Sequence, residues 1–101
     1  MIAVTGTVQY QPQFHDDLSE AVRTVTAATR AEDGCAAYNI TFDLIEPNTV
    51  RISELWADEA SLADHMNSAH LAEFMGAIGS MLAGMPTIVR HEIASSKPLF
   101  G

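Results

Sequence analysis

The segment "ELWADEASLADHMNSAHLAEF" (54–74) decides the fold, because it leads a β-prone run into a helical region that is broken once. The β-prone run ends before Asp58, which can cap a first helix. Asn67 and Ser68 interrupt the helical pattern, and Ser68 can cap a second helix over about 69–83. The segment therefore predicts a strand followed by a split helical region.

The flanking sequence supplies the other elements of one domain, 1–101. Alternating apolar residues predict strands, and apolar residues at three- and four-residue steps predict a helix. The predicted elements are a strand over 2–10, a helix over about 13–31, strands over 35–44 and 49–56 joined by the turn Glu46-Pro47-Asn48, and a last strand over 87–94. The order β-α-β-β-α-β predicts an α+β, ferredoxin-like fold, an antiparallel sheet with helices on one face.

The opposite face of this sheet is too weakly charged to be fully solvated. Its predicted members are Ala3, Thr5, Thr7, Cys35, Ala37, Asn39, Thr41, Ser53 and Leu55. The chain is also 48% hydrophobic and only 18% charged, which exceeds the need of a core formed by 101 residues. Both observations predict a homodimer that buries this sheet face.

The net charge and the N-terminal sequence limit the kinds of molecule that this protein is expected to bind and the cellular compartment in which we expect it. The net charge is −8 with only five Lys and Arg residues, so no basic surface exists to bind nucleic acid or an anionic membrane. The N-terminus has no charged and apolar signal segment, and a single cysteine suits a reducing compartment. We expect a cytoplasmic protein that binds a neutral or weakly acidic organic molecule.

Three stretches resemble the antibiotic biosynthesis monooxygenase (ABM) domain family. They are "EDGCAAY" (32–38), "ELW" (54–56) and "DEASLADHMNSAHLAEF" (58–74), in the order and spacing of that family. The resemblance implies a dimeric α+β barrel with a pocket between sheet and helices in each subunit. Known members include oxygenases that act on quinols and polyketide anthrones without a cofactor, haem-degrading enzymes and a sugar-phosphate isomerase, so the fold is implied more firmly than the reaction.

His65 is the candidate general base of such an oxygenase. It follows Leu62 by three residues and lies on the apolar face of its helix, where a core histidine is the alternative. On a continuous helix, His70 would point about 140° away from His65, so we expect no shared metal ion. His70 is instead expected to pair with Glu73 in solvent, and His91 has no assigned face.

Aromatic and apolar side chains on the helix-facing side would either fill the core or form the walls of a pocket for a planar aromatic substrate. Glu54, on the same side as Trp56, either reaches the pocket edge or pairs with an arginine such as Arg90, and we favour the pair. The candidate substrate-binding residues are Tyr38, Phe42, Trp56, Phe74 and Met75.

The haem-degrading branch fits this chain poorly. Haem-degrading members of the family have an asparagine on the first strand, a tryptophan at the position of His65 and a histidine at the position of Met75. All three are absent from this chain. No glycine-rich phosphate-binding motif follows a strand, so we expect no cofactor. The favoured hypothesis is a cofactor-independent monooxygenase; a non-catalytic small-molecule-binding dimer and a small carbonyl isomerase stay open.

Overall fold

The computed structural model describes all 101 residues and has the predicted α+β, ferredoxin-like architecture. A four-stranded antiparallel sheet in the order β2-β3-β1-β4 carries the helices on one face. The elements are β1 Ile2–Gln9, α1 His15–Arg30, β2 Cys35–Phe42, β3 Thr49–Trp56, α2 Glu59–Met66, α3 Ala69–Ile78 and β4 Thr87–Glu92, with short 3₁₀ turns at Pro12–Phe14 and Gly79–Met81.

The helical region is split as predicted, and both predicted caps are present. The Asp58 carboxylate accepts a hydrogen bond from the Ser61 amide at 2.8 Å and begins α2. The Ser68 hydroxyl accepts one from the Leu71 amide at 3.3 Å and begins α3. Each cap satisfies an amide that the first helical turn leaves without a partner. The chain therefore changes direction at Asn67, between the two helices.

The second helix of this region is shorter than predicted. It ends at Ile78, and the following residues pair with the end of β1. The Met81 carbonyl accepts a hydrogen bond from the Gln11 amide, and the Ala83 amide donates one to the Gln9 carbonyl, both at 2.8 Å. These bonds need an extended backbone, so the helix ends even though the helical spacing of apolar residues continues along the sequence.

The loop between α1 and β2 is held tightly against α2. Gly34 has φ +82°, and a Cβ atom there would lie 2.0 Å from the Ser61 hydroxyl oxygen. Its carbonyl accepts a hydrogen bond from the Ala57 amide at 2.8 Å. An irregularity between Cys35 and Ala37 then shifts the register of β2. Cys35 consequently packs against the core, and its predicted place on the outer sheet face is wrong.

The core lies between the sheet and the helices in two adjoining clusters. The larger consists of Ile2, Val4, Val25, Tyr38, Trp56 and Leu62, and the smaller of Val8, Tyr10, Leu18 and Val50. The other sheet face is not covered by any element of the chain, and Thr5, Asn39, Ser53 and Val89 are exposed there. None of the helices combines the length and the apolar composition that spanning a bilayer requires.

Candidate active site

His65 lies in the interior with one ring nitrogen bound and the other unbound. Its residue is only 2% exposed, and Nδ1 lies 2.7 Å from a carboxylate oxygen of Glu32. The ring packs over Trp56, with centroids 4.6 Å apart and planes at 30°, and meets the edge of Tyr38 at 5.4 Å. Nε2 has no hydrogen-bond partner, and the side chain borders a partly open cavity. The contacts with Glu32 and Trp56 therefore fix the orientation of the ring and leave Nε2 without a partner.

His70 approaches the same carboxylate from α3. Its Nε2 lies 2.9 Å from the Glu32 oxygen that contacts His65. The predicted divergence of the two histidines and the predicted solvated pair with Glu73 are both wrong. The physical reason is the break at Ser68, because the 140° separation applies only to a continuous helix. Glu32, His65 and His70 together offer three possible metal-ligating atoms, all within 4.8 Å of one another.

Glu32 is the site residue that the sequence analysis missed. It follows α1 by two residues and lies 33 positions before His65, in a turn where acidic residues are common at protein surfaces. The only available signal was its place in the stretch "EDGCAAY", which did not assign it a role. The Gly34 turn brings this carboxylate against the junction of α2 and α3.

A cavity of about 350 Å³ lies between the sheet and the helices beside His65. Its walls are mainly aliphatic and aromatic side chains, including the predicted Tyr38, Phe74 and Met75. The ionisable residues that line it are His65, Glu54 and Tyr38. Such a space can take a small, mostly apolar ring system and offer it polar groups on one side.

Two predicted substrate-binding residues do not line this cavity. Trp56 is fully buried behind the His65 ring, where it orients that ring instead of forming a wall. Phe42 belongs to the smaller core cluster and packs against Tyr10 and His15, with ring centroids 5.5 and 4.3 Å away. Both are aromatic residues of the helix-facing side, but the cavity occupies only part of that side.

Glu54 lies at the cavity, and its predicted pairing with Arg90 is wrong. Arg90 pairs with Glu59 instead. One Glu54 oxygen accepts a hydrogen bond from the Trp56 indole nitrogen at 2.9 Å. Burial raises the pKa of Glu54, although this hydrogen bond opposes the shift. Burial likewise raises the pKa of Tyr38, so the phenol is a neutral group at the cavity.

Comparison with known proteins agrees with this architecture over the whole chain. The family model described as "Antibiotic biosynthesis monooxygenase" matches residues 1–77. YcnE of Bacillus subtilis, a candidate monooxygenase by name, is 27% identical over 94 residues, covering 93% of this chain and 99% of YcnE.

Solved structures show the same fold. A candidate antibiotic biosynthesis monooxygenase from Deinococcus radiodurans superimposes with a TM-score of 0.90 at 22% identity, covering 100% of both chains. A conserved protein from Methanosarcina mazei has a TM-score of 0.84 at 26% identity, covering 89% of each chain. Because the family model spans most of the sequence and the fold is shared, the chain belongs to the antibiotic biosynthesis monooxygenase family.

Proposed function

We propose that this protein oxidises a quinol or an anthrone-like aromatic molecule with O₂, without a cofactor, and that His65 is the general base. The observation that carries the proposal is the His65 ring itself. Glu32 holds Nδ1 at 2.7 Å, while Nε2 has no partner and the side chain borders an apolar cavity. A base in this position can reach a hydroxyl group of a bound ring.

The Glu32 contact selects the form of histidine that a base requires. A carboxylate accepts a hydrogen bond, so its contact places the imidazole proton on Nδ1. The lone pair of a neutral ring is then on Nε2, the nitrogen that has no hydrogen-bond partner. The stacked Trp56 ring limits rotation, so little ordering is left to occur when a substrate binds.

The reaction needs a proton acceptor because the neutral substrate is a poor electron donor. Ionising a phenol of pKa about 10 at pH 7 costs roughly 4 kcal/mol. A positioned base typically contributes about 10²- to 10⁴-fold in rate. The resulting anion passes electrons to O₂, so the substrate performs the redox chemistry and the protein supplies orientation and a dry site.

The atoms balance without an external reductant. For an anthrone, the ring CH₂ group and O₂ become a ring carbonyl and water. For a quinol, one oxygen atom enters a ring C–H position, and the other leaves as water with two substrate hydrogens. In both cases the four electrons that reduce O₂ come from the substrate, and the proton taken by His65 returns to the reduced oxygen.

Oxygen consumption with a panel of quinols and anthrones tests the proposal. His65→Gln should lower kcat/KM by about 100-fold or more, because the amide cannot act as a base. His15→Gln is the matched control, since His15 is exposed at the start of α1, bonds Tyr10 and does not line the cavity. Equal rates in wild type and His65→Gln would refute the role of His65. Ligand binding without oxygen uptake would favour a non-catalytic binding module.

A further inference from the structure

The candidate base His65 forms a cluster with a second histidine, His70, and with the Glu32 carboxylate. One possible ligand atom from each residue lies within 4.8 Å of the other two, and the Glu32 oxygen contacts His65 Nδ1 and His70 Nε2. We propose that this cluster binds a divalent transition-metal ion of the zinc or cobalt class. We also propose that the bound ion inhibits the oxygenase instead of serving it as a cofactor.

The donor set determines the class of ion. Two imidazole nitrogens and one carboxylate oxygen suit Zn²⁺ and Co²⁺, whereas Mg²⁺ and Ca²⁺ prefer oxygen ligands alone. Three protein ligands leave a fourth position for water. Each ligand comes from a different segment: Glu32 from the loop after α1, His65 from the last turn of α2, and His70 from the first turn of α3.

Placing an ion at the cluster requires shifts of about 1 Å, because the two imidazole nitrogens lie up to 4.8 Å apart and the Glu32 oxygen lies close to both. Ligands about 2.1 Å from one tetrahedral ion lie about 3.4 Å apart. The Glu32 oxygen is 2.7 Å from His65 Nδ1 and 2.9 Å from His70 Nε2, so it must retract by under about 1 Å to admit an ion. Its side chain is 16% exposed and belongs to a loop, whereas the two imidazoles stay on their helices.

An ion can reach the cluster from an acidic groove. His70 is 26% exposed and borders a groove of about 430 Å³ between α1 and α3. The same groove is lined by the carboxylates of Asp17, Glu20 and Glu73. With a net charge of −8 over the chain, the field at this entrance attracts cations. His65 itself is not exposed to the solvent, so His70 and Glu32 are the first ligands that an ion meets.

Metal binding and base catalysis exclude each other at His65. An ion on Nδ1 replaces the proton there, and a neutral imidazole then carries its proton on Nε2. The lone pair that would accept a substrate proton is lost. This inhibition rests on the proposed function, but the binding of the ion does not.

Cobalt binding to the full chain, after treatment with a chelator, tests the site without any substrate. We expect one equivalent of Co²⁺ to give the visible absorption of a four-coordinate ion, and Zn²⁺ to displace it. Glu32→Gln, His65→Gln and His70→Gln should each weaken binding by more than about tenfold. His15→Gln and His91→Gln, which change the other two histidines of the chain, should leave it unchanged.

His70→Gln is the decisive variant, because its half-buried position tolerates the change without loss of the fold. Absence of a four-coordinate cobalt spectrum, or equal affinity in all five variants, would overturn the site. Oxygen uptake, compared with and without one equivalent of Zn²⁺ for each form, then tests the inhibition: zinc should abolish the uptake of wild type and leave that of His70→Gln at its own zinc-free rate. Full activity of the zinc-loaded protein would overturn the inhibition, and absence of activity in every form would refute the proposed function while leaving the binding result intact.

Discussion

Glu54 links the cavity to the pH dependence of stability. Burial raises its pKa above the ordinary value of 4.5, so the folded protein keeps this proton after the unfolded chain has released it. Stability contributed by this group is therefore complete below pH 4.5 and falls as the pH rises through the pKa of the folded state. The groups around it are Trp56, His65 and Glu32, of which the first two oppose the shift and the third increases it.

Glu54→Gln should consequently stabilise the protein at neutral pH. The amide keeps an acceptor for the Trp56 indole and removes the buried charge, so the free energy of unfolding at pH 7 should rise by about 0.5–1 kcal/mol. Urea unfolding at pH 7 and pH 4 measures the effect, with exposed Glu73→Gln as the control. The gain should disappear at pH 4, and a gain of equal size at both pH values would contradict the argument.

Gly34 is the residue on which the position of Glu32 depends. Gly34→Ala should destabilise the fold by about 2 kcal/mol or more, because φ is +82° and the new Cβ would lie 2.0 Å from the Ser61 hydroxyl oxygen. Gly76→Ala is the matched control: nothing lies within 4 Å of the new Cβ in α3, so we expect a gain of about 0.5–1 kcal/mol. Thermal unfolding of both variants measures the contrast. Two similar losses would show that the Gly34 turn is not the specific constraint.

At the scale of elements, the junction of α2 and α3 sets the geometry of the site. The Ser68 hydroxyl accepts from the Leu71 amide and donates to the His65 carbonyl at 2.7 Å. Ser68→Ala should therefore cost about 1 kcal/mol of unfolding free energy and loosen the approach of His70 to Glu32. Thermal unfolding measures the loss, and Ser80→Ala is the control because its side chain makes no hydrogen bond. Equal stability of the two variants would show that the Ser68 cap does not stabilise the fold.

The strands and helices were predictable because their signals are local. Strand β3 has the predicted bounds, 49–56, and the caps at Asp58 and Ser68 depend on bonds to amides only three residues away. The end of α3 was not predictable, because it depends on hydrogen bonds to Gln9 and Gln11. The periodicity of apolar residues in the sequence carries no information about such distant partners.

The site was predictable only in part for the same reason. His65 could be selected because an apolar helix face is visible in the sequence. Its contact with Glu32 spans 33 positions and the His70 contact spans 38, so neither appears in any local pattern. The cavity also excludes Phe42 and Trp56 through packing details that a strand's alternation cannot resolve, since alternation gives the face of a residue and not its neighbours.

At the scale of the whole molecule, the outer face of the sheet is left uncovered by the other elements of the chain. It presents Thr5, Asn39, Ser53 and Val89 to solvent, and its few charged groups include Arg51, which is paired with Asp43. Antiparallel sheets usually expose a more strongly polar outer face. We infer that two copies pair through this face, as the sequence predicts. Pairing would also add buried surface to a chain whose single core is small.

Light scattering should give a mass twice the 10.9 kDa of the chain, with a Tm that rises with protein concentration. Thr5 lies at the centre of the face, paired with Ser53 on one side and Val89 on the other. Thr5→Glu would place a charged carboxylate at the centre of the interface, where its hydration is lost, so it should produce a monomer with a lower Tm that no longer depends on concentration. Ala72→Glu adds the same charge to the exposed side of α3 and should leave the dimer intact. A monomeric wild type, or a Thr5→Glu dimer of unchanged Tm, would show that this sheet face is solvated instead of paired.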